Sequence, residues 1–352
     1  MNDLSEKTGG DLSAHFVNLS ENLNEKFGKN LARNLNENLN ENLNAPLANL
    51  SENLSQNPNA NFSIPAEAPA LSAWNTIYEQ FDPVAFSVAG FPVHWYGIAY
   101  VCALVLALFI ARFFIARHPK RFAIEPSVLD SYFVWAEIGV ILGARIGYIL
   151  IYDPSRFWYL AHPWEIFSPF DSSGEFVGIR GMSFHGGVVG FLLASFIFVR
   201  VKKMRLLPLM DLVAISVPLA YVFGRIGNFL NQELFGRVVP ATDALGQKIG
   251  IMVYGVLRYP SQLLEAFLEG IVVFVIVALC ARVRVLDNAL IGVYAIGYGM
   301  MRFVAEYWRE PDAQMGLFGG FSMGQILCAL MIIAGAYIVA TQVKRNVAQA
   351  GK

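Results

Sequence analysis

From Phe81 onward the chain alternates long apolar stretches with short polar ones, on the scale of membrane spans and their loops. A helical span needs about 20 mostly apolar residues. Seven stretches approach that length: Tyr96–Ile115, Leu129–Ile151, Gly186–Val201, Leu207–Phe229, Ser261–Val283, Ala289–Tyr307 and Phe321–Val343. The third is short and the fourth ends in polar residues. The pattern therefore predicts an all-α fold, a polytopic membrane helix bundle with seven transmembrane helices.

The first part of the chain follows a different rule. Leu31, Leu35, Leu39, Leu43 and Leu47 recur every fourth residue within an Asn-Leu-Asn-Glu theme. A step of four overshoots the helical 3.6, so the leucine stripe drifts by roughly 40° per repeat and forms no lasting seam. Asn is a poor helix former and bulky core residues are scarce. Residues 1–75 are read as a low-complexity Asn/Leu-rich tail expected to be disordered. Residues 76–345 are read as the seven-span domain, and 346–352 as a short cytoplasmic tail. No cleavable signal peptide is expected, because Met1 is followed by polar sequence.

Charge fixes the expected orientation. Arg112, Arg117, Lys120 and Arg121 follow the first span, and Arg200, Lys202, Lys203 and Arg205 the third. Arg282 and Arg284 follow the fifth, and Lys344 and Arg345 the seventh. By the positive-inside rule these ends are cytoplasmic, which puts the N-terminus outside and the C-terminus inside. The outward loops are then about Tyr152–Phe184, Asn231–Pro260 and Trp308–Gly320. The composition agrees: 55% hydrophobic residues and only 15% charged, against about 25% charged in soluble domains. Cys102, Cys280 and Cys328 all lie in apolar runs and read as packing residues. The five histidines show no ligand spacing, so no metal and no cofactor is expected. A net charge near zero gives no reason to expect nucleic acid.

Against this apolar background the polar residues stand out. Gly224-Arg-Ile-Gly-Asn-Phe-Leu-Asn-Gln-Glu-Leu-Phe-Gly-Arg237 closes the fourth span with Arg225, Asn228, Asn231, Glu233 and Arg237. Arg225 and Asn228 are three apart and share a helix face. Such a face either grips a phosphate or carboxylate, or forms a structural polar knot between helices. Tyr298, Arg302 and Glu306 stack at intervals of four on the sixth span, again as a site or as a self-neutralising pair. Arg309 is placed at the interface, where it snorkels. Asp211 needs a partner from another helix, with Arg145 or Arg302 the candidates.

His185 opens the third span and is either a hydrogen-bonded structural residue or a base. Gly143 to Gly147 and Gly186 to Gly190 have the spacing of helix-packing motifs, and Arg145 stays open between packing and function. Ser261 after Pro260 has the place of a helix N-cap, followed by Gln262 and Glu265. There is no Gly-x-Ser-x-Gly elbow, His-Glu-x-x-His motif or phosphate loop, which argues against serine hydrolases, zincins and P-loop enzymes. A basic, amide- and phenol-rich pocket at the outer face, with lipid close by, remains.

These residues resemble a known family. The segment Gly224–Gly236 is similar to the signature of bacterial prolipoprotein diacylglyceryl transferases. The likeness extends to Val93-His-Trp-Tyr-Gly97, Gly143-Ala-Arg-Ile-Gly-Tyr148 and Met182-Ser-Phe-His-Gly-Gly187. It continues through Tyr259-Pro-Ser-Gln262 with Glu265, and Arg302-xxx-Glu306 with Arg309-Glu-Pro-Asp312. It covers about Phe81 to Lys344 and leaves out the Asn/Leu-rich tail. Two departures are visible: Leu264 stands where a tyrosine is common, and Ala144 where a glycine is.

The resemblance implies a seven-span enzyme of the bacterial cytoplasmic (inner) membrane, with its active site towards the outer face. It implies transfer of the diacylglyceryl group of phosphatidylglycerol to the lipobox cysteine of a preprolipoprotein, with release of glycerol 1-phosphate. Carried over by position, it makes Arg225, Arg302, His185 and Tyr96 catalytic. Asn228, Glu233, Gly236, Tyr298 and Glu306 join the two arginines in binding substrate. The competing classes are a transporter, which would show repeats between halves, and an assembly protein, whose arginines would tolerate lysine.

Overall fold

The computed structural model describes residues 71–88, 90–154, 156–170, 174, 181–310, 317–318 and 321–351. The Asn/Leu-rich stretch up to Ala70, and Asp312, lie outside the described residues. Residues 71–75, assigned to the tail on composition, are described, and 71–74 among them are exposed. Asn75 is buried and donates to the Gly250 and Gln247 carbonyls at 2.7 and 3.1 Å.

The chain enters the bundle through a hairpin, β1 (Val84–Val88) and β2 (Phe91–His94), turned at Gly90 with φ +84°. Only glycine takes that conformation freely. The long helices follow as α1 (Trp95–Arg117), α2 (Pro126–Ile151), α3 (Phe184–Val201), α4 (Leu206–Leu230), α5 (Ser261–Cys280), α6 (Leu290–Ala305) and α7 (Met323–Ala350). The starts are chemically marked. Pro126 lies at the first position of α2, Ser183 caps α3 by accepting from Gly186 N at 3.2 Å, and Ser322 and Gln325 form a capping box at α7.

Among the described residues six helices are long and apolar enough to cross a membrane; α6, with 16 residues, is shorter. At 1.5 Å per residue it reaches about 24 Å, less than the hydrocarbon thickness. The sixth expected span, Ala289–Tyr307, is cut back because the chain turns at Glu306–Trp308. There Glu306 N–H still bonds the Arg302 carbonyl, Tyr307 and Trp308 bond three residues back, and the Glu306 carboxylate accepts a hydrogen bond from Ser322.

The helices pack mainly in pairs, α1 with α4, α2 with α3 and α6 with α7, while α5 lies against α4 and α6. The α2–α3 seam is built from glycine. A methyl group added at Gly147 would lie 2.6 Å from Gly186 Cα, and one at Gly190 would lie 2.8 Å from Gly143 Cα. Backbones this close exclude any larger side chain, which bears out the small-residue spacing seen in the sequence. The apolar core holds Phe198, Leu209, Ile215, Val273, Val277 and Leu290. Val105, Phe109 and Phe113 instead point outward from α1, as side chains that face lipid do.

α5 is not a regular α-helix. Its Ala266–Val272 segment is π-helical, and Gly270 there approaches the Pro218 carbonyl inside α4. Such segments are often found at functional sites.

Candidate active site

Buried polar side chains in an apolar bundle have mainly each other for partners, and here they converge. Tyr221, Arg225 and Asn228 share one face of α4 through their spacing of four and three. Arg225 Nε donates to the Tyr221 hydroxyl at 2.5 Å and stands 3.0 Å from Glu265 Oε2 of α5. Its Nη1 donates to Asn228 Oδ1 at 3.4 Å, and its guanidinium carbon lies 4.9 Å from the Tyr221 ring centre. Asn228 Nδ2 donates to Glu233 Oε1 at 2.8 Å.

Arg302 reaches the same carboxylate pair from α6. Its Nη2 lies 2.8 Å from Glu306 Oε2, and its Nη1 4.0 Å from Glu269 Oε1. Tyr221 donates to the other Glu269 oxygen at 2.5 Å, and Arg309 Nη1 lies 3.7 Å from Glu265 Oε2. Glu265 and Glu269, one helical turn apart on α5, are 1% and 0% exposed. Arginines from three places in the chain thus meet carboxylates at Glu265, Glu269 and Glu306. Opposite charges in these numbers make burial tolerable, whereas removing one partner strands the other at a cost of about 3–5 kcal/mol.

Some donors are left over. Arg302 Nη1 is buried without a hydrogen bond. Arg225 Nη2 and the Tyr298 hydroxyl make none among the described residues. The Tyr298 ring packs edge-on to Tyr221, with centroids 6.0 Å apart. Forked guanidinium donors beside a phenol suit an anionic headgroup better than a metal.

The remaining expected residues surround this cluster at different removes. Tyr96 sits at the start of α1 against Gly227, where an added methyl would come 3.2 Å from its ring. It is within electrostatic reach of Glu233 and Arg225. Gly236 bridges Arg309, and its N–H is taken by the Tyr259 carbonyl at 2.9 Å; an added methyl there would collide with Tyr259 Cβ at 2.9 Å. Its contribution is to let these loops close. His185 is exposed near the start of α3, edge-on to Phe184. No hydrogen bond or ion pair among the described residues joins it to the arginine cluster.

Several expected partnerships are different in the structure. Asp211 faces neither Arg145 nor Arg302: it accepts from Ile291 N at 3.2 Å and lies 3.8 Å from Arg121 Nη2. Arg121 is held there by Asp287 and by the Ala281 and Leu286 carbonyls. Arg145 holds the following loop, donating to the Ile166 carbonyl at 2.5 Å and to that of Gly181 at 3.2 Å. Arg309 turns inward to Glu265 instead of snorkelling. Ser261 is inside α5, with Pro260 at the N-cap position, and donates to the Leu234 carbonyl at 3.2 Å.

Glu269 and Tyr221 were missed. Their signal was there, since Glu269 follows Glu265 by four in an apolar run and Tyr221 precedes Arg225 by four. Outside the spans, Tyr259 donates to Asp243, which also accepts from the Gly246 and Leu245 amides. Those bonds, Gly246's first, hold the Asp243 carboxyl below its ordinary range. The Asp243 bond pushes the Tyr259 phenol up to about 12.

The helices and this cluster define a multi-pass membrane protein with an arginine–carboxylate–phenol site within its bundle. Residues 83–341 match the sequence profile of the family described as "Prolipoprotein diacylglyceryl transferase". The chain belongs to that family. It is 57% identical over 277 residues to a Helicobacter pylori protein named phosphatidylglycerol–prolipoprotein diacylglyceryl transferase, covering 78% of this chain and 98% of that protein. Proteins of the same name from Helicobacter acinonychis and Campylobacter lari are 56% identical over 277 residues and 55% over 266. These matches cover 78% and 75% of this chain and 98% and 95% of the relatives.

Proposed function

We propose that this chain transfers the diacylglyceryl group of phosphatidylglycerol to the lipobox cysteine thiol of a preprolipoprotein. The thiol sulfur attacks the glycerol carbon, the carbon–oxygen bond to phosphate breaks, glycerol 1-phosphate leaves, and the thiol proton passes to a base. The observation that carries this reading is the approach of Arg225 and Arg302, from separate helices, to the adjacent carboxylates Glu265 and Glu269. Relatives named for this reaction at 55–58% identity support it.

In this reading Arg225 and Arg302 bind the phosphate and stabilise the charge that builds as it leaves. Asn228 sets the Arg225 fork, Tyr298 adds a donor, and Glu306 fixes Arg302. Glu233 and Tyr96 line the approach, and Gly236 shapes its wall. A cysteine thiol has an ordinary pKa of about 8.5, so it needs a base or a positive field to react. His185 is the candidate base, brought to the sulfur by bound substrate. The protein works in the bacterial inner membrane with seven spans, N-terminus outside and C-terminus inside, the site opening to the outer face. The tail takes no part.

The test mixes purified protein, phosphatidylglycerol and a lipobox peptide, and reads the peptide mass and released glycerol phosphate. A diacylglyceryl adduct on the cysteine peptide, absent from its serine counterpart, is the expected result; no adduct overturns the reading. In the same assay, near-normal turnover by His185→Gln would remove His185 from the role of base.

A further inference from the structure

The two arginines of the proposed site are joined through one phenol and one carboxylate to which no role is assigned. Tyr221 accepts from Arg225 Nε at 2.5 Å and donates to Glu269 Oε2 at 2.5 Å. The other Glu269 oxygen lies 4.0 Å from Arg302 Nη1, and neither of those two atoms has a hydrogen bond. Glu269 is fully buried, so water does not share it.

Resting on the transferase reading above, we propose that Tyr221 is a positioning residue that divides Glu269 between the two arginines. A fully desolvated carboxylate free to choose would close on Arg302 as a charge-assisted pair, shorter than 3 Å. With one oxygen committed to the phenol, Glu269 stands off at 4.0 Å and leaves Arg302 Nη1 without a hydrogen bond. The same hydroxyl takes up Arg225 Nε, and the ring lies against the guanidinium, so with Nη1 on Asn228 the Nη2 of Arg225 is left clear of α4's own side chains. One hydroxyl therefore sets the aim of both cations, and Tyr221 does so without touching the reacting atoms.

Tyr221→Phe is the direct test, because it keeps the ring on Arg225 and removes only the hydroxyl. The hydroxyl's bonds are to charged groups, the stronger kind, so kcat should fall by at least about tenfold. The Tm should stay within about 2 °C of wild type, and KM for phosphatidylglycerol should change less than kcat. Repeating the substitution in a Glu269→Gln background separates positioning from packing. If Tyr221 acts through Glu269, most of its effect disappears there.

Wild-type kcat in Tyr221→Phe overturns the proposal, as does a loss that follows a fall in Tm or has the same size in both backgrounds. If Glu269→Gln does not fold, the single variant's kcat, KM and Tm decide. Failure of the wild-type protein to form any adduct strikes the transferase reading itself, and is thus distinct from failure of this inference alone.

Discussion

At the scale of single residues, guanidinium and ammonium groups carry the same charge, and the site tells them apart by shape. Arg225 uses Nε towards Tyr221 and Glu265 and Nη1 towards Asn228, while Nη2 remains for a ligand. A lysine at 225 gathers its three donors on one nitrogen and cannot reach positions that the guanidinium serves from separate nitrogens. Arg225→Lys should keep Tm near that of wild type, since Glu265 still faces a cation. It should lower kcat/KM by at least about 100-fold, equivalent to about 2.7 kcal/mol of lost transition-state stabilisation. The peptide adduct assay measures this, and an active lysine variant would return the cluster to the status of a structural knot. Arg225, Arg302 and Glu306 were legible because charge in an apolar run has few innocent explanations. Their partners were less so. Spacing along one helix predicts same-face neighbours, but the Asp211–Arg121 and Arg225–Glu265 pairs cross between helices, and no periodicity reports which helices touch.

At the scale of elements, the same residue type has opposite meanings at different places. Gly190 of α3 abuts Gly143 of α2 so closely that added atoms must displace backbone, while a methyl at Gly97 of α1 would meet nothing within 4 Å. Gly190→Val should therefore push α2 and α3 apart and destabilise the protein by about 3 kcal/mol, at the upper end of overpacking costs. Gly97→Ala should leave Tm unchanged or raise it, since alanine favours helix by up to about 1 kcal/mol. Thermal unfolding in detergent compares the two; equal Tm values would refute the glycine-seam account. This seam could be read from glycine spacing alone. The π-helical part of α5 could not, because it appears where Gly270 meets Pro218 of another helix.

At the scale of the whole molecule, what matters is where the working part begins. The family match starts at residue 83, yet the packed chain starts earlier. Trp74 stacks on Phe229 with ring centroids 6.0 Å apart and donates to the Ile249 carbonyl at 2.7 Å. Met252 N donates to the Asn75 carbonyl at 2.7 Å, and Tyr78 and Phe81 pack around the same Phe229. Phe229 lies one turn beyond Arg225 on α4, so this segment steadies the helix end that carries the proposed phosphate site. On composition polar Ser72 and Asn75 look like tail, yet their side chains bond to each other and Asn75 is buried among carbonyls. Two truncations separate the parts. Removing residues 1–70 should leave both Tm and kcat unchanged. Removing residues 1–80 strips Trp74, Asn75 and Tyr78 from Phe229 and the β3 (Ile251–Val253) edge, and should lower Tm and turnover together. Loss of activity on the shorter cut would give the Asn/Leu-rich stretch a catalytic role, and full activity after the longer one would mean that α4 holds Arg225 in place unaided.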